Sequence, residues 1–369
     1  MLLKLVLANP RGYCAGVRMA VDVVDEVVRL FEGETVYVYH EIVHNKHVVG
    51  RFRDRGVVFV EEVDEVPEGS VLVFSAHGIS PAVRQRAAER GLTTIDATCP
   101  LVTKVHAEAI KYARDGYQIL LVGHADHQEI IGTRGEAPEA TQIVETPDDI
   151  PGLQIDDPER LVYLTQTTLS TDDAGVIIDA LKQAFPNIKA PPGEDICYAT
   201  TNRQHAIRQL APDCDVVLVV GSRNSSNSVR LTEISKNVGT PAHLLDDVSE
   251  LDESWFETGN ETVLISAGAS APEDLVAGVC RELVRRFNAI IEVRDVFEED
   301  VSFALPGGLR KLMKQRGETA ANRRIRVKPP EITLEAYGTV PLTVGASERS
   351  ERRARPSLSR SRHDTNAAG

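Results

Sequence analysis

One local pattern occurs three times along the chain, and it restricts the architecture more than any other feature. An apolar, strand-like run ends at a cysteine and an amphipathic helical stretch begins directly after it, at Cys14, Cys99 and Cys197. Each copy continues to a second strand that ends in a polar loop, in YVYHEIVHN, LLVGHADHQE and LVVGSRNSSN. Strands that alternate with helices predict an α/β fold with parallel sheets.

The spacing within the three copies also agrees. The second polar loop follows the cysteine by 30 residues at His44, 28 at His127 and 28 at Ser225, and a third loop follows it by 63 at His77, 68 at Thr167 and 73 at Ser270. Ligands of α/β sheets bind at the carboxyl ends of strands. We therefore predict three pseudo-repeated α/β domains whose polar loops meet around a central cavity.

The repeat sets the predicted domain boundaries. They are residues 14–98, residues 99–196, and residues 197–316 with the N-terminal strand of residues 1–13 associated. From 310 to the end there are 14 Lys and Arg against 6 Asp and Glu, with few large apolar residues. We expect residues 317–369 to be a basic and mostly disordered tail.

Charge and apolar patterning exclude several classes of protein. The 369 residues carry a net charge of −14, and residues 1–309 hold 27 Lys and Arg against 49 Asp and Glu, which disfavours nonspecific nucleic-acid binding. RNA binding through the basic tail is a less favoured alternative. No apolar run is long enough to span a membrane, and the N-terminus lacks the pattern of a signal peptide, so we expect a cytoplasmic protein.

The three cysteines lie where predicted helices begin, so that backbone N–H groups and the helix dipole favour thiolates. Three converging thiolates suit either a zinc ion or an iron–sulfur cluster. A cubane cluster with only three cysteine ligands leaves one iron free for a substrate oxygen. Cys214 and Cys280 fall outside the repeat and are interpreted as buried apolar residues.

The polar loops supply hydroxyl, amide and imidazole groups without a fixed cluster of Lys or Arg. Such donors, together with helix N-termini, can bind a phosphate or a diphosphate. The candidates are His44, His77, His127, Ser225, Ser226, Asn227 and Ser270. Glu129 is the best candidate for a proton donor, since enclosure raises a carboxyl pKa toward neutrality, and Thr167 is a candidate for orienting a substrate hydroxyl.

The segment His40-Glu41-Ile42-Val43-His44 contains the H-E-x-x-H string of zinc proteases. That string works on a helix, whereas His40 here follows the alternating run TVYVY, which predicts a strand. A zinc-dependent hydrolase that uses His40, Glu41 and His44 is the alternative function. No dinucleotide or P-loop fingerprint follows a strand, so a reductase of this kind would take its electrons from a separate donor.

The chain resembles the LytB family of reductases, which act on an allylic diphosphate. Long segments carry the resemblance from about residue 5 to 310, namely ANPRGYCAGV, HEIVHN, FSAHGIS, DATCPLVTKVH, TQTTLS, DICYATTNRQ, GSRNSSNS and AGASAPE. The resemblance implies three α/β domains around an oxygen-sensitive 4Fe-4S cluster, and an electron donor of the ferredoxin or flavodoxin type. It also implies a two-electron reductive dehydroxylation that yields isopentenyl and dimethylallyl diphosphate, the last step of the methylerythritol phosphate route.

Position by position, the resemblance assigns roles to the candidate residues. Cys14, Cys99 and Cys197 match the cluster ligands, Glu129 matches the proton-delivery residue, and Thr167 matches the residue near the substrate hydroxyl. His44, His77, Ser225, Ser226, Asn227 and Ser270 match the diphosphate-binding groups, and His127 lines the same cavity. Asp126, Gln128 and Arg134 depart from the family pattern beside Glu129.

Overall fold

The structure is a computed structural model that describes residues 2–342. Its strands are β1 (Lys4–Asn9), β2 (Val36–Tyr39), β3 (Val58–Val60), β4 (Val71–Phe74), β5 (Thr93–Asp96), β6 (Gln118–Val122), β7 (Thr141–Val144), β8 (Leu161–Thr165), β9 (Val216–Val220), β10 (Ala242–Leu245), β11 (Thr262–Ala267), β12 (Ile290–Asp295), β13 (Ser302–Ala304) and β14 (Arg324–Arg326). Its α-helices are α1 (Ala15–Leu30), α2 (Lys46–Arg53), α3 (Pro81–Glu89), α4 (Pro100–Arg114), α5 (Gln128–Glu136), α6 (Thr171–Ala184), α7 (Tyr198–Leu210), α8 (Ser226–Asn237), α9 (Glu273–Phe287), α10 (Gly307–Gln315) and α11 (Leu334–Tyr337).

Three parallel sheets confirm the predicted α/β class. One has the strand order β3-β2-β4-β5, the second β7-β6-β8, and the third β10-β9-β11-β1-β12. The N-terminal strand β1 lies inside the third sheet, where Lys4 pairs with Thr262 on one side and Ile290 on the other. A short antiparallel pair joins β13 to β14.

The apolar strands are buried because helices cover both faces of the sheets. Strand β9 is the sequence VVLVV, and all five of its residues are buried. Val216, Leu218 and Val220 pack into the core on one face of the sheet, and Val217 and Val219 into the core on the other. This alternation with a period of two makes an uninterrupted valine-rich run suitable for the centre of a sheet.

The parallel strands bring their carboxyl ends to one central region. The connection after β1 leads to Cys14, that after β5 to Cys99, and that after β8 to Thr167. The connections after β2, β4, β6, β9 and β11 carry the other predicted loops. Contacts join the units here: the Ser270 hydroxyl donates to the backbone oxygen of His44 at 2.8 Å.

The C-terminal part differs from the prediction in two ways. Helix α10, which we assigned to the third unit, buries Leu309 and Met313 in the same core as α1 in the first unit. Residues 317–342, which we expected to belong to a disordered tail, include β14 and α11. Ala321, Ile325 and Tyr337 are buried there, and these three anchors compensate for the Arg-rich and Pro-rich composition. The prediction for the remainder of the tail concerns residues 343–369, outside the described part.

No helix among residues 2–342 combines the length and the apolar character needed to cross a membrane.

Candidate functional site

The three repeated cysteines line one central cavity of about 100 Å³. Each is the residue directly before a helix, Cys14 before α1, Cys99 before α4 and Cys197 before α7. The Cys14 sulfur accepts a hydrogen bond from the backbone N–H of Val17 at 3.4 Å. Residues separated by 85 and 98 positions therefore contribute to the same wall of one cavity.

The first turn of α1 leaves no room for a side chain at Gly16. A Cβ atom added at Gly16 would lie 2.5 Å from the Cys99 sulfur and 3.9 Å from the Cys14 sulfur. Glycine at this position therefore allows the first turn of α1 to approach Cys99. The sulfurs of the three cysteines and the glycine in the first turn of α1 form a cradle that fits a group bound by all three cysteines.

Burial dominates the electrostatics of these thiols. It raises the pKa of Cys14 and Cys99, and it raises the pKa of Cys197 to about 11. The helix N–H groups that we expected to favour thiolates act in that direction, but burial outweighs them. Deprotonation of thiols with raised pKa values requires a nearby positive charge, which a metal centre supplies.

Three histidines form a second wall of the cavity. The rings of His44 and His77 stack with centroids 4.0 Å apart, and His127 meets them edge-on at 5.3 Å and 6.1 Å. Burial and the neighbouring imidazoles hold the pKa of His77 well below its usual value, and burial lowers the pKa of His127 to about 4. Both rings are therefore neutral at physiological pH.

The buried ring nitrogen Nε2 of His44 has no hydrogen-bond partner among the described residues. The other nitrogen, Nδ1, lies 3.2 Å from the Glu41 carboxylate. The Glu41 carboxylate at Nδ1 orients the ring, and Nε2 donates to a bound anion when it carries a proton. His44 is thus the imidazole with an open position for a ligand.

Hydroxyl and amide groups from the third unit complete this wall. Ser225 caps α8, with its oxygen 3.4 Å from the backbone nitrogen of Ser228, and Ser270 donates from another loop. The Asn227 carbonyl accepts from the backbone N–H of Ala269 at 3.0 Å, which fixes the direction of its NH₂ group. Ser226 donates to the backbone oxygen of Thr168 at 3.3 Å, across to the second unit.

The carboxyl of Glu129 is buried on the remaining side of the cavity. Its two oxygens accept hydrogen bonds from the backbone N–H of Thr167 at 2.6 Å and from the Thr167 hydroxyl at 2.9 Å. Burial raises the pKa of Glu129 to about 7, although both bonds from Thr167 act to lower it. A carboxyl with this pKa can both hold and release a proton near neutral pH.

The described residues that line the cavity include no Lys or Arg, and Glu129 is the only carboxylate among them. An anion bound here would meet neutral donors and the N-termini of α5 and α8, which carry partial positive charge. All twelve predicted site residues line this cavity, namely Cys14, Cys99, Cys197, His44, His77, His127, Glu129, Thr167, Ser225, Ser226, Asn227 and Ser270.

Several residues that support the cysteines were not predicted from the sequence. The Thr200 hydroxyl lies 3.3 Å from the Cys197 sulfur, and the Tyr198 hydroxyl accepts from the backbone N–H of Ala15 at 3.1 Å. Arg203 is fully buried and donates to the backbone oxygen of Gly12 at 2.7 Å, beside Cys14. The signal was present in DICYATTNRQ, where these residues occupy the first two turns after the cysteine.

The geometry does not support the alternative zinc-hydrolase prediction. The H-E-x-x-H segment lies between β2 and α2 and is not helical, so its two imidazoles do not share a helix face. His40 bonds to Glu61 at 2.5 Å, whereas His44 lines the cavity. Among residues 2–342 no three His, Cys, Asp or Glu side chains are grouped as ligands of a single ion.

The residues that depart from the family pattern lie outside the cavity wall. Asp126 and Arg134 are exposed, and Gln128 is half-buried at the start of α5. Glu129 itself is enclosed, so these differences surround the carboxyl without replacing the groups that contact it.

Comparisons with known proteins agree with this geometry. The family model described as LytB protein matches residues 5–284. A 4-hydroxy-3-methylbut-2-enyl diphosphate reductase of Rhodopirellula baltica is 54% identical over 308 residues, which cover 84% of this chain and 96% of the relative. The corresponding protein of Pseudomonas entomophila is 52% identical over 312 residues, 84% of this chain and 98% of its own.

Solved structures show the same fold. The E-1-hydroxy-2-methyl-but-2-enyl-4-diphosphate reductase from Plasmodium falciparum superposes with a TM-score of 0.83 at 39% identity, covering 86% of this chain and 100% of that one. A second reductase structure, described as the terminal enzyme of the non-mevalonate pathway, gives 0.57 at 32% identity over 77% of this chain and 99% of its own. The chain belongs to the LytB family.

Proposed function

We propose that this protein reduces 4-hydroxy-3-methylbut-2-enyl diphosphate to isopentenyl diphosphate and dimethylallyl diphosphate. The observation that carries the proposal is the convergence of three cysteines, a set of neutral anion donors and one buried carboxyl in a single cavity. Family membership, with relatives named for this activity, supports the same conclusion.

The proposed cofactor is a 4Fe-4S cluster held by Cys14, Cys99 and Cys197. Its fit is supported by the three sulfurs that line one cavity and by the absence of a side chain at Gly16 in the first turn of α1. When bound, the cluster supplies one-electron transfer and one iron that lacks a protein ligand.

The reaction consumes two electrons and two protons for each substrate molecule. The C–O bond of the allylic alcohol breaks, the oxygen leaves as water with one added proton, and the second proton forms a C–H bond at either end of the allyl unit. The two possible positions of that C–H bond give the two products. The electrons come from an external carrier of the ferredoxin or flavodoxin type, since the sequence has no nucleotide-binding fingerprint.

The diphosphate would bind to the wall formed by His44, His77, Ser225, Asn227 and Ser270, with Ser226 and His127 beside it. Imidazole, hydroxyl and amide groups donate hydrogen bonds, and the N-terminus of α8 adds partial positive charge. The open Nε2 of His44 suits a phosphate oxygen. Exclusion of water from this cavity strengthens each of these hydrogen bonds.

Glu129 would hold the proton that the reaction consumes, and Thr167 would connect it to the substrate hydroxyl. A threonine hydroxyl has one proton and two acceptor lone pairs, so it can contact Glu129 and the substrate oxygen at the same time. The 2.9 Å contact between Thr167 and Glu129 already provides half of this connection.

The test is anaerobic purification followed by iron and sulfide quantitation and an assay with reduced methyl viologen. We expect about four irons and four sulfides per chain, a brown colour, and formation of both products. Serine variants of Cys14, Cys99 or Cys197 should lose the colour and turnover together. Cys214→Ser, a matched change of a half-buried cysteine outside the cavity, should retain both. A colourless wild-type protein, or a brown one without product, would overturn the proposal.

A further inference from the structure

A broad groove of about 670 Å³ lies on the outside of the molecule, beside the start of α1. We call it the basic groove and define it by the side chains of Arg18, Arg51, Arg324, Arg326 and Lys328 along its walls. Arg11 and Arg323 complete its cations, and Asp22, Glu273 and Asp274 are its acidic groups. Arg11 is buried in an ion pair with Glu273, so six cations face Asp22 and Asp274, and Arg326 also pairs with Asp300 beside the groove.

The C-terminal segment builds one wall of the basic groove. In residues 324–328 the side chains alternate, with Arg324, Arg326 and Lys328 exposed and Ile325 buried. This is the period of an extended chain, which places the three cations on one side while Ile325 anchors the segment to the core under α1. The segment is therefore held in place with its charges directed outward.

Among residues 2–342, two of these cations have no carboxylate partner. Arg324 bonds within that part of the chain only to Ser302, with its Nη2 2.7 Å from the backbone oxygen. Lys328 has no ion pair among residues 2–342. Arg18 and Arg51 do pair with carboxylates, but about half of each side chain remains accessible, at 51% and 48%. The groove thus presents positive potential to a partner at its surface.

The basic groove adjoins the wall of the cavity that carries the sulfurs. Arg18 lies one helical turn beyond Cys14, and its backbone N–H donates to the Cys14 carbonyl at 2.9 Å. Tyr13, the residue before Cys14, lines the groove directly. Adjacent residues therefore line the two sites, Tyr13 the basic groove and Cys14 the central cavity.

We infer that the basic groove is the docking surface for a small acidic electron-carrier protein. The inference rests on the proposed function, which requires two electrons per turnover from outside the chain. Two reduced one-electron carriers would each bind in turn, give up one electron beside Cys14, and leave oxidised. Complementary charge speeds such encounters and orients the partner, and salt weakens both effects.

The test compares the holoenzyme with two charge-reversal variants. Arg324→Glu/Lys328→Glu removes the two unpaired cations of the groove, and Arg114→Glu/Lys182→Glu reverses two exposed cations elsewhere as the matched control. Binding of a purified acidic ferredoxin is measured by calorimetry at low and high salt. Turnover is measured with the same ferredoxin, kept reduced, and with methyl viologen.

We expect the groove variant to raise the Kd for ferredoxin about tenfold or more and to lose most of its salt dependence. Its turnover with methyl viologen should stay within about twofold of wild type. The control should match wild type in every measurement. Absence of wild-type turnover with viologen would instead count against the proposed function, while the calorimetry still reports on docking.

An unchanged Kd in the groove variant, or an equal loss in the control, would overturn the inference. So would a groove that binds a single-stranded RNA oligonucleotide with the same dependence on Arg324 and Lys328 but does not bind ferredoxin.

Discussion

The central cavity and the basic groove both suit negatively charged partners, but they use different chemistry. Among the described residues the cavity wall has no Lys or Arg, and it offers neutral imidazoles, hydroxyls and helix N-termini. The groove offers full charges on long, exposed side chains. Neutral donors in an enclosed site hold a small ligand in one orientation, whereas full charges at a surface attract a large partner over a distance.

The largest expected effect is on turnover, from a change at Glu129 in the central cavity that leaves the basic groove intact. Glu129→Gln keeps the shape of the buried side chain but removes the acid, so turnover with methyl viologen should fall about 100-fold or more. The iron content and the Kd for ferredoxin should not change. The control is Glu139→Gln, an exposed carboxylate on the same unit, with wild-type turnover expected. Full activity in the Glu129 variant would exclude proton delivery by this residue.

The pH dependence should arise from the same carboxyl. Because burial raises the pKa of Glu129 to about 7, the side chain is protonated below that value and loses the proton above it. Turnover should therefore fall as pH rises through 7, by about tenfold per unit on the alkaline limb. The measurement is kcat with viologen from acidic to alkaline pH, and an identical limb in Glu129→Gln would assign the titration to another group.

Loss of a hydrogen-bond donor from the wall that carries His44 should weaken substrate binding. His44→Phe retains a ring to stack on His77 but removes the open Nε2, so KM should rise about tenfold with a smaller change in kcat. The matched control is His243→Phe, because His243 also stacks on an aromatic ring, that of Trp255, but away from the cavity. A KM that is unchanged in His44→Phe would remove this imidazole from the diphosphate site.

The smallest expected effect concerns the anchor of the C-terminal segment. The buried hydroxyl of Tyr337 bonds to Glu273 and lies 3.4 Å from Arg11, a cation of the groove. Tyr337→Phe should lower the free energy of unfolding by about 1–2 kcal/mol, measured by denaturant titration, while viologen turnover stays near wild type. Tyr117→Phe, a change at a surface hydroxyl, should cost less than about 0.5 kcal/mol. Equal stability losses would contradict an anchoring role for Tyr337.

Much of the fold and the location of the site were predictable because the pattern of a strand, a cysteine and a helix occurs three times in the sequence. Strand runs such as VVLVV, and a cysteine at each strand-to-helix turn, repeat with similar spacing, and parallel strands bring such turns to one edge. The supporting contacts were not predictable, since Arg203 reaches a backbone oxygen 191 positions away. The order in residues 317–342 was not predictable, because only three buried residues, Ala321, Ile325 and Tyr337, hold a segment of otherwise polar composition.

The absence of a side chain at Gly16 limits which substitutions the first turn of α1 can accept. Because a Cβ atom there would lie 2.5 Å from the Cys99 sulfur, the close approach of α1 to Cys99 depends on an absent methyl group. Even alanine, the mildest replacement, would displace the Cys99 sulfur or the first turn of α1, and either shift would change the spacing between the Cys14 and Cys99 sulfurs. A residue that performs no chemistry therefore constrains the size of the group that these sulfurs can hold, and a redesign of the centre would have to take Gly16 into account.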